Sequence, residues 1–212
     1  MFLNEKQLVE KLVQDLQERY NTQYIVRELR GGNNIADIVY TTDIKRENIV
    51  FDEYFNAYYY FNTIYNKKKI CIDETDNIIS SNAKKFYRFL RELEELGYVK
   101  IDGNYVTSVK KVDAVAKNFI AVEAKISDWR AGLEQAYRYK QYANEVYVAI
   151  SAEYYDNVDK EEFKKMNIGL MCVSDGKLRI PIKAKKEKVK KLDIQYYIGD
   201  RFLRQLQSAT NS

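Results

Sequence analysis

The chain has 212 residues, 35 lysines and arginines against 31 acids, a formal charge of +4, and no histidine. That length suits one sizeable core, or a core with a small inserted module, and 46% hydrophobic with 31% charged residues is the balance of an ordinary soluble globular protein. The missing histidine removes His-based triads, His-ligated zinc and haem, and two cysteines disfavour a structural zinc site, so any metal must be held by oxygen ligands, which selects Mg²⁺, Mn²⁺ or Ca²⁺.

No apolar run is long enough to cross a bilayer, and the opening Met1-Phe2-Leu3-Asn4-Glu5-Lys6 lacks a signal-peptide pattern. A cytoplasmic location with no membrane partner is the expectation. Cys71 and Cys172 are far apart in apolar surroundings and read as two buried thiols rather than a disulfide. The mild positive charge permits nucleic-acid binding without demanding it. Most of the 19 tyrosines should serve core or rim, with some available to stack on bases.

Residues 4–20 read as a helix capped by Asn4, with Leu8, Val9, Leu12, Val13 and Leu16 on one stripe. Strands are expected over Tyr24–Arg30 and Ala36–Thr41, either side of the turn Gly31-Gly32-Asn33-Asn34, which puts Asp37 near the start of the second. The pattern then changes. Residues 45–112 read as a module of their own, with helices over 52–65, 73–80 and 82–96, a short strand at 70–72, and a hairpin over 98–109 turning at Asp102-Gly103-Asn104. Gly97 is placed to end the third helix. Beyond the module come a strand at 119–126, a helix at 128–143, a strand at 145–151, a helix at 159–166, two antiparallel strands at 168–174 and 177–183, and a last helix at 193–207. On helix 128–143, Trp129, Leu133, Ala136 and Tyr137 are assigned to the core. Lys183 to Lys191 is basic and reads as a solvated connector, with phosphate contact as the alternative.

The strand Phe119-Ile120-Ala121-Val122-Glu123-Ala124-Lys125-Ile126 carries an acid and a lysine two residues apart, hence on one face. Burying both is costly unless they pair or bind something. With the module set aside, Asp37 on one strand is followed by Glu123-x-Lys125 on the next. In this order the chain resembles the PD-(D/E)xK nuclease superfamily, a mixed central sheet flanked by helices. Position 36 is Ala where that superfamily often has proline. Glu5 on the first helix, then Gly31-Gly32 and Ala36-Asp37-Ile38-Val39, look like the archaeal Holliday-junction resolvases, and Gln135-x-x-x-Tyr139 looks like the motif of RecB-like members. The resemblance spans about residues 1–43 and 117–183. Three helices followed by a hairpin, with Leu93-x-x-Leu96-Gly97-Tyr98-Val99 at the transition, make residues 45–112 similar to a winged-helix module.

The resemblance implies an α/β restriction-endonuclease-like core, residues 1–44 and 113–212, interrupted by a winged-helix insert. It implies a DNA endonuclease using Mg²⁺ (or Mn²⁺), held by Asp37, Glu123, the carbonyl of Ala124 and Glu5, with Lys125 and Gln135 completing the catalytic set. DNA contacts are expected from Arg130 and Tyr139, and from Lys84, Lys85, Arg88 and Arg91 on the basic side of helix 82–96, opposite Phe86, Phe89, Leu90 and Leu93. Double-strand cutters often need two sites, so a homodimer is also an expectation. Each motif has a plainer reading: an edge-strand ion pair for Glu123 and Lys125, a turn residue for Asp37, a helix-dipole acid for Glu5, surface and packing residues for Gln135 and Tyr139, a solvated face for helix 82–96. The rival functions are an inactive nuclease scaffold that binds DNA or assembles complexes, and a nuclease acting on RNA. Module acids such as Asp73, Glu92, Glu94 and Glu95 leave protein open as that module's partner.

Overall fold

The computed structural model describes residues 2–31, 33–51, 56–73 and 83–210. The first helix, α1 (Glu5–Tyr20), starts where Asn4 Oδ1 accepts the Gln7 N–H at 3.0 Å and Gln7 Oε1 accepts the Leu3 N–H at 2.9 Å. The cap satisfies the Gln7 amide, a donor that the first turn would otherwise leave open, and the return bond fastens Leu3 just before the helix. The helix stops at Asn21, which takes the left-handed conformation that Asn tolerates better than most residues.

Six strands form the main sheet: β1 (Ile25–Gly31), β2 (Asn34–Tyr40), β6 (Ile120–Lys125), β7 (Glu145–Ser151), β8 (Gly169–Val173) and β9 (Arg179–Ile182), side by side in that order. β6, β7 and β8 are parallel, and the outer pairings are antiparallel. Buried parallel strands need apolar residues on both faces, and β8 is buried at all five positions. The fold is therefore mixed α/β, with helices on both faces of a mixed sheet.

On one face Leu8, Leu12 and Leu16 of α1 pack against Ile38, Val122, Ala149 and Met171. Each fully buried leucine contributes about 1.5–3 kcal/mol of burial free energy. The other face is covered by α4 (Trp129–Tyr139), which bridges β6 and β7, and by α6 (Leu192–Thr210), with α5 (Lys160–Met166) farther along. Of the four residues assigned to the core of α4, Trp129, Leu133 and Ala136 are buried, but Tyr137 is 46% exposed. The inward stripe runs instead through Gly132, Leu133, Ala136 and Tyr139, a full step around the helix from Tyr137.

The module between β2 and β6 has its own sheet. α2 (Ala57–Lys67) leads into β3 (Lys69–Cys71), and α3 (Ala83–Glu95) leads into the hairpin of β4 (Val99–Asp102) and β5 (Tyr105–Ser108). The order is β3-β5-β4, all antiparallel. The helix expected at 73–80 and the start of the one expected at 52–65 lie largely outside the described residues. Gly97 ends α3 at φ +71°, with the Tyr98 N–H donating to the Leu93 carbonyl and the Gly97 N–H to that of Glu94, both at 2.8 Å. That double closure needs a left-handed residue, which glycine supplies without a Cβ penalty.

Both cysteines are free thiols; Cys172 is buried and Cys71 half-buried. Among the described residues no helix is long and apolar enough to cross a membrane.

Candidate active site

β6 is an interior strand, so Glu123 and Lys125 are not the ion pair of a sheet edge. β2 pairs with β6 through Ile38 and Val122, Val39 and Ala121, and Tyr40 and Ile120. One step further along this register places Asp37 opposite Glu123, where antiparallel neighbours share a face. Asp37 thus stands fourth in its strand rather than at its start, with Oδ2 accepting the Ala124 N–H at 2.7 Å. The local sequence makes this possible: Ile38, Tyr40, Val122 and Ala124 anchor both strands to α1, while on the opposite side Val39 and Ala121 join the core and Asp37, Glu123 and Lys125 stand beyond them.

Glu123 is 2% exposed and each of its oxygens is engaged. Lys125 Nζ stands 2.9 Å from Oε1, and the Tyr139 hydroxyl donates to Oε2 at 2.5 Å and lies 2.7 Å from the Ile35 carbonyl. Lys125 Nζ also reaches Glu5 Oε2 at 3.7 Å, where the Glu5 side chain is half exposed at the mouth of the site. The stem of Lys125 lies flat under α4. A Cβ on Gly132 would come within 3.1 Å of Lys125 Cγ and 2.9 Å of Val148 Cγ1, so glycine lets the helix sit this close to the lysine.

The charges respond to this packing. Burial, then the charge of Glu123, push the Asp37 carboxyl up to about 6, and the Ala124 N–H and Lys125 only partly oppose them. For Lys125, burial pulls the ammonium down, but its bond to Glu123 and the charges of Glu123, Glu5 and Asp37 outweigh this and hold the pKa above its ordinary value. Lys125 is therefore a fixed cation at neutral pH. It can donate hydrogen bonds and stabilise negative charge, and it is no proton acceptor.

Tyr139 is 1% exposed, which corrects its assignment as a DNA contact. Its hydroxyl is committed to Glu123 and its ring is packed in the core, so it positions the acid. Burial and the bond to Glu123 both raise the phenol's pKa. Tyr139→Phe should leave Glu123 Oε2 without this donor and cost about 1–3 kcal/mol in urea unfolding. A loss below about 0.5 kcal/mol would show that the hydroxyl does not hold the acid. Gln135 lies one turn before Tyr139 on α4, between Gly132 over Lys125 and Tyr139 over Glu123. Its Oε1 is buried with no hydrogen-bond partner among the described residues. An unmade bond on a buried amide is costly, and it marks room for a donor such as water.

Beside Asp37 a cleft of about 300 Å³ is lined by Glu5, Lys6, Val9, Arg27 and Glu28. Lys6, Arg27 and Glu28 were not singled out from the sequence. Arg27 pairs with Ile38 and Leu29 with Ala36, so Glu28 stands across from Asp37, with its backbone at φ +51°. This conformation costs an L-residue about 1 kcal/mol or more, and such residues cluster at functional sites. Glutamate has no special tolerance for it, so nothing in the sequence signals it.

The oxygen-only donors Asp37, Glu123 and the Ala124 carbonyl suit a hard cation, which would offset both the burial of Asp37 and, second to it, the facing charge of Glu123. Among the described residues no group of three acids or other strong ligands stands close enough to complete a three-residue metal set. Glu5 is oriented toward Lys125 instead.

The remaining expected contacts are at the surface. Arg130 is exposed at the start of α4, its guanidinium 4.3 Å from the Trp129 ring centroid. Lys84, Lys85, Arg88 and Arg91 are exposed on α3, while Phe86, Phe89, Leu90 and Leu93 are buried beneath it. Tyr87 is also exposed, among these cations.

No protein-family model matches the chain, and no curated protein does either. Among solved structures the chain is similar to the SPO1766 protein of unknown function from Silicibacter pomeroyi, at 16% identity and a TM-score of 0.31, over 44% of this chain and 58% of the other. The match covers less than two thirds of that protein, and a likeness this slight assigns neither fold family nor activity.

Proposed function

We propose that this protein is a metal-dependent DNA nuclease of the PD-(D/E)xK type, with its inserted module acting as a winged helix that positions the DNA. The observation that carries the reading is the register of β2 on β6. It sets Asp37 against Glu123, with Lys125 two residues on and on the same face.

Asp37, Glu123 and the Ala124 carbonyl would hold the cation, with Glu5 at the mouth. A bound Mg²⁺ or Mn²⁺ supplies water activation and shields the charge that builds on the phosphate. Lys125, fixed as an ammonium, donates to the attacking water or to a phosphate oxygen as negative charge develops. The Gln135 amide, with its unpaired oxygen, can accept a hydrogen bond from a water at this face and so orient it. Arg130 at the start of α4 is free to meet the phosphate backbone. In the module, the strand order β3-β5-β4 and the exposed basic helix before the hairpin support the reading of a winged helix in which α3 would be the recognition helix.

A second reading, a nuclease-fold protein that binds DNA without cutting it, is favoured by one observation. Both Glu123 oxygens are already bonded, and no three-ligand set exists among the described residues. Plasmid nicking separates the two. The wild-type protein should nick supercoiled DNA with Mg²⁺ or Mn²⁺ and not with EDTA, and Lys125→Ala should lose this activity by about 10²-fold or more. Tight duplex binding with no cleavage of any DNA or RNA form would establish the second reading.

A further inference from the structure

The basic run Lys183–Lys191 is not a loose connector. Asn167 grips Lys185 from both sides, its Oδ1 accepting the Lys185 N–H at 2.8 Å and its Nδ2 donating to the Lys185 carbonyl at 2.9 Å. Asn144 grips Glu187 likewise: the Glu187 N–H donates to the Asn144 carbonyl at 2.8 Å, and Asn144 Nδ2 donates to the Glu187 carbonyl at 3.1 Å. Val189 is buried, and the Lys191 N–H donates to the Gln141 carbonyl at 3.2 Å. The backbone is thus fastened at residues 185, 187, 189 and 191.

Lys183, Lys185, Lys186, Lys188, Lys190 and Lys191 are all exposed on this fastened strap. Its one acid, Glu187, is engaged by Asn167 at 2.7 Å and Lys140 at 3.0 Å, and these partners hold its carboxyl below the ordinary range. A free linker would let six like charges spread apart. A pinned one keeps them together against their repulsion, an arrangement that a polyanion relieves. Lys186, Lys188 and Lys190 alternate with the anchors, a repeat of about 6.6 Å if the chain is extended, which approaches the step between successive phosphates of a strand. Tyr137 is 46% exposed beside them, with Lys190 Nζ 5.4 Å and Lys140 Nζ 6.0 Å from its ring centroid. The strap offers no exposed large apolar side chain to insert into a bilayer, unlike a membrane-surface helix.

Its place in the fold connects it to both functional parts. α4 begins four residues after Lys125 and ends against the strap, a path of about 16 Å at the helical rise of 1.5 Å per residue. At its other end the strap continues into α6, whose Tyr196 is buried in the module's core.

We propose that this strap is a second nucleic-acid surface, a rail for the phosphate backbone between the module and the helix over Lys125. This rests on the reading of DNA as the ligand and deepens it. The test is binding of a labelled duplex to the full chain in EDTA, by fluorescence anisotropy over a series of salt concentrations. The triple variant Lys186→Gln/Lys188→Gln/Lys190→Gln should bind more weakly at every salt, and its slope of log K against log salt should be shallower by about 2–3, at about 0.9 per phosphate contact. The triple Lys→Arg variant at the same positions should keep the wild-type slope, which separates charge from folding. An unchanged slope in the Gln variant overturns the proposal, as does a wild-type protein that binds phosphatidylserine vesicles through these lysines and not DNA. Plasmid cleavage is scored separately: a wild type that cuts with an unaltered Gln-variant slope loses the rail and keeps the nuclease. One that binds through the strap and never cuts loses the nuclease and keeps the rail.

Discussion

Asp37→Asn is expected to abolish metal-dependent cleavage and, in the same molecule, to make the fold more stable at neutral pH. Burial and the facing Glu123 hold the Asp37 carboxyl at about 6, against an ordinary 3.8. The folded state therefore binds this proton more tightly than the unfolded chain does. The resulting contribution to stability is complete below about pH 4 and is lost as pH rises through about 6. Above that, the ionised carboxylate is a cost to the fold, about 1–3 kcal/mol when the shift is converted at ~1.4 kcal/mol per unit. Asparagine keeps an oxygen for the Ala124 N–H and removes the charge. Urea unfolding in EDTA should show wild type and variant nearly equal at about pH 4 and the variant ahead at about pH 7.5. Nicking activity should fall by at least about 10²–10³-fold, the range for taking one electrostatic group from a preorganised site. A variant that still cuts, or that is less stable than wild type at neutral pH, would remove Asp37 from the site.

Such a trade belongs to a site and not to a core, and it marks which parts of this protein are legible in one dimension. β7 and β8 are visible as largely apolar runs because they are buried on both faces, and β6 is visible as such a run interrupted by Glu123 and Lys125. The buried face of α3 is visible because Phe86, Phe89, Leu90 and Leu93 recur at the helical period. Asp37 and Glu123 could be paired only through the order of motifs, since 85 residues separate them and the register that joins them is a property of the sheet. Periodicity also told little about depth. Tyr137 and Tyr139 both sit on the same apolar helix, yet one is at the surface and the other is bonded to Glu123. The strap reads in the sequence as a solvated connector, with phosphate contact as the alternative, and its fastening is not legible there because Asn144 and Asn167 carry no local signal. Glu28 is the extreme case, a strained backbone at the cleft that no residue preference announces.

The second large effect is expected far from the acids, at the joint between the module and the main sheet. The chain leaves for the module beside the segment on which it returns: Ile44 bridges Ala116, and the Lys45 N–H donates to the Val115 carbonyl at 2.7 Å. At this joint Arg46 and Asp200 are almost wholly buried, with Arg46 Nη2 2.5 Å from Asp200 Oδ1. Arg46 Nε donates to the Asp113 carbonyl at 2.7 Å on the returning segment, and Nη1 donates to the Asn48 carbonyl on the outgoing one. Asp200 Oδ2 accepts the Val50 N–H at 2.9 Å and also the Phe51 N–H. One ion pair therefore ties both segments to α6. Burial raises the Asp200 carboxyl pKa despite Arg46 and the two amides, so the pair is not fully compensated for leaving water. Its removal as a unit should be cheaper than the removal of either half. Asp200→Ala strands a buried guanidinium and two amide donors, and should cost about 3–5 kcal/mol in urea unfolding. Arg46→Met strands the carboxylate and should cost a similar amount. The double variant should lose less than either single, a shortfall from additivity of about 3 kcal/mol or more, at the top of the range for residues in one network. Additive losses, or a single-variant loss below about 1 kcal/mol, would show that the module is held by apolar contacts such as that of its Tyr58 on Tyr196 of α6. If the pair does fix the joint, Asp200→Ala should also weaken duplex binding at temperatures where the main sheet stays folded, because the basic face of α3 would no longer be held in place relative to Lys125.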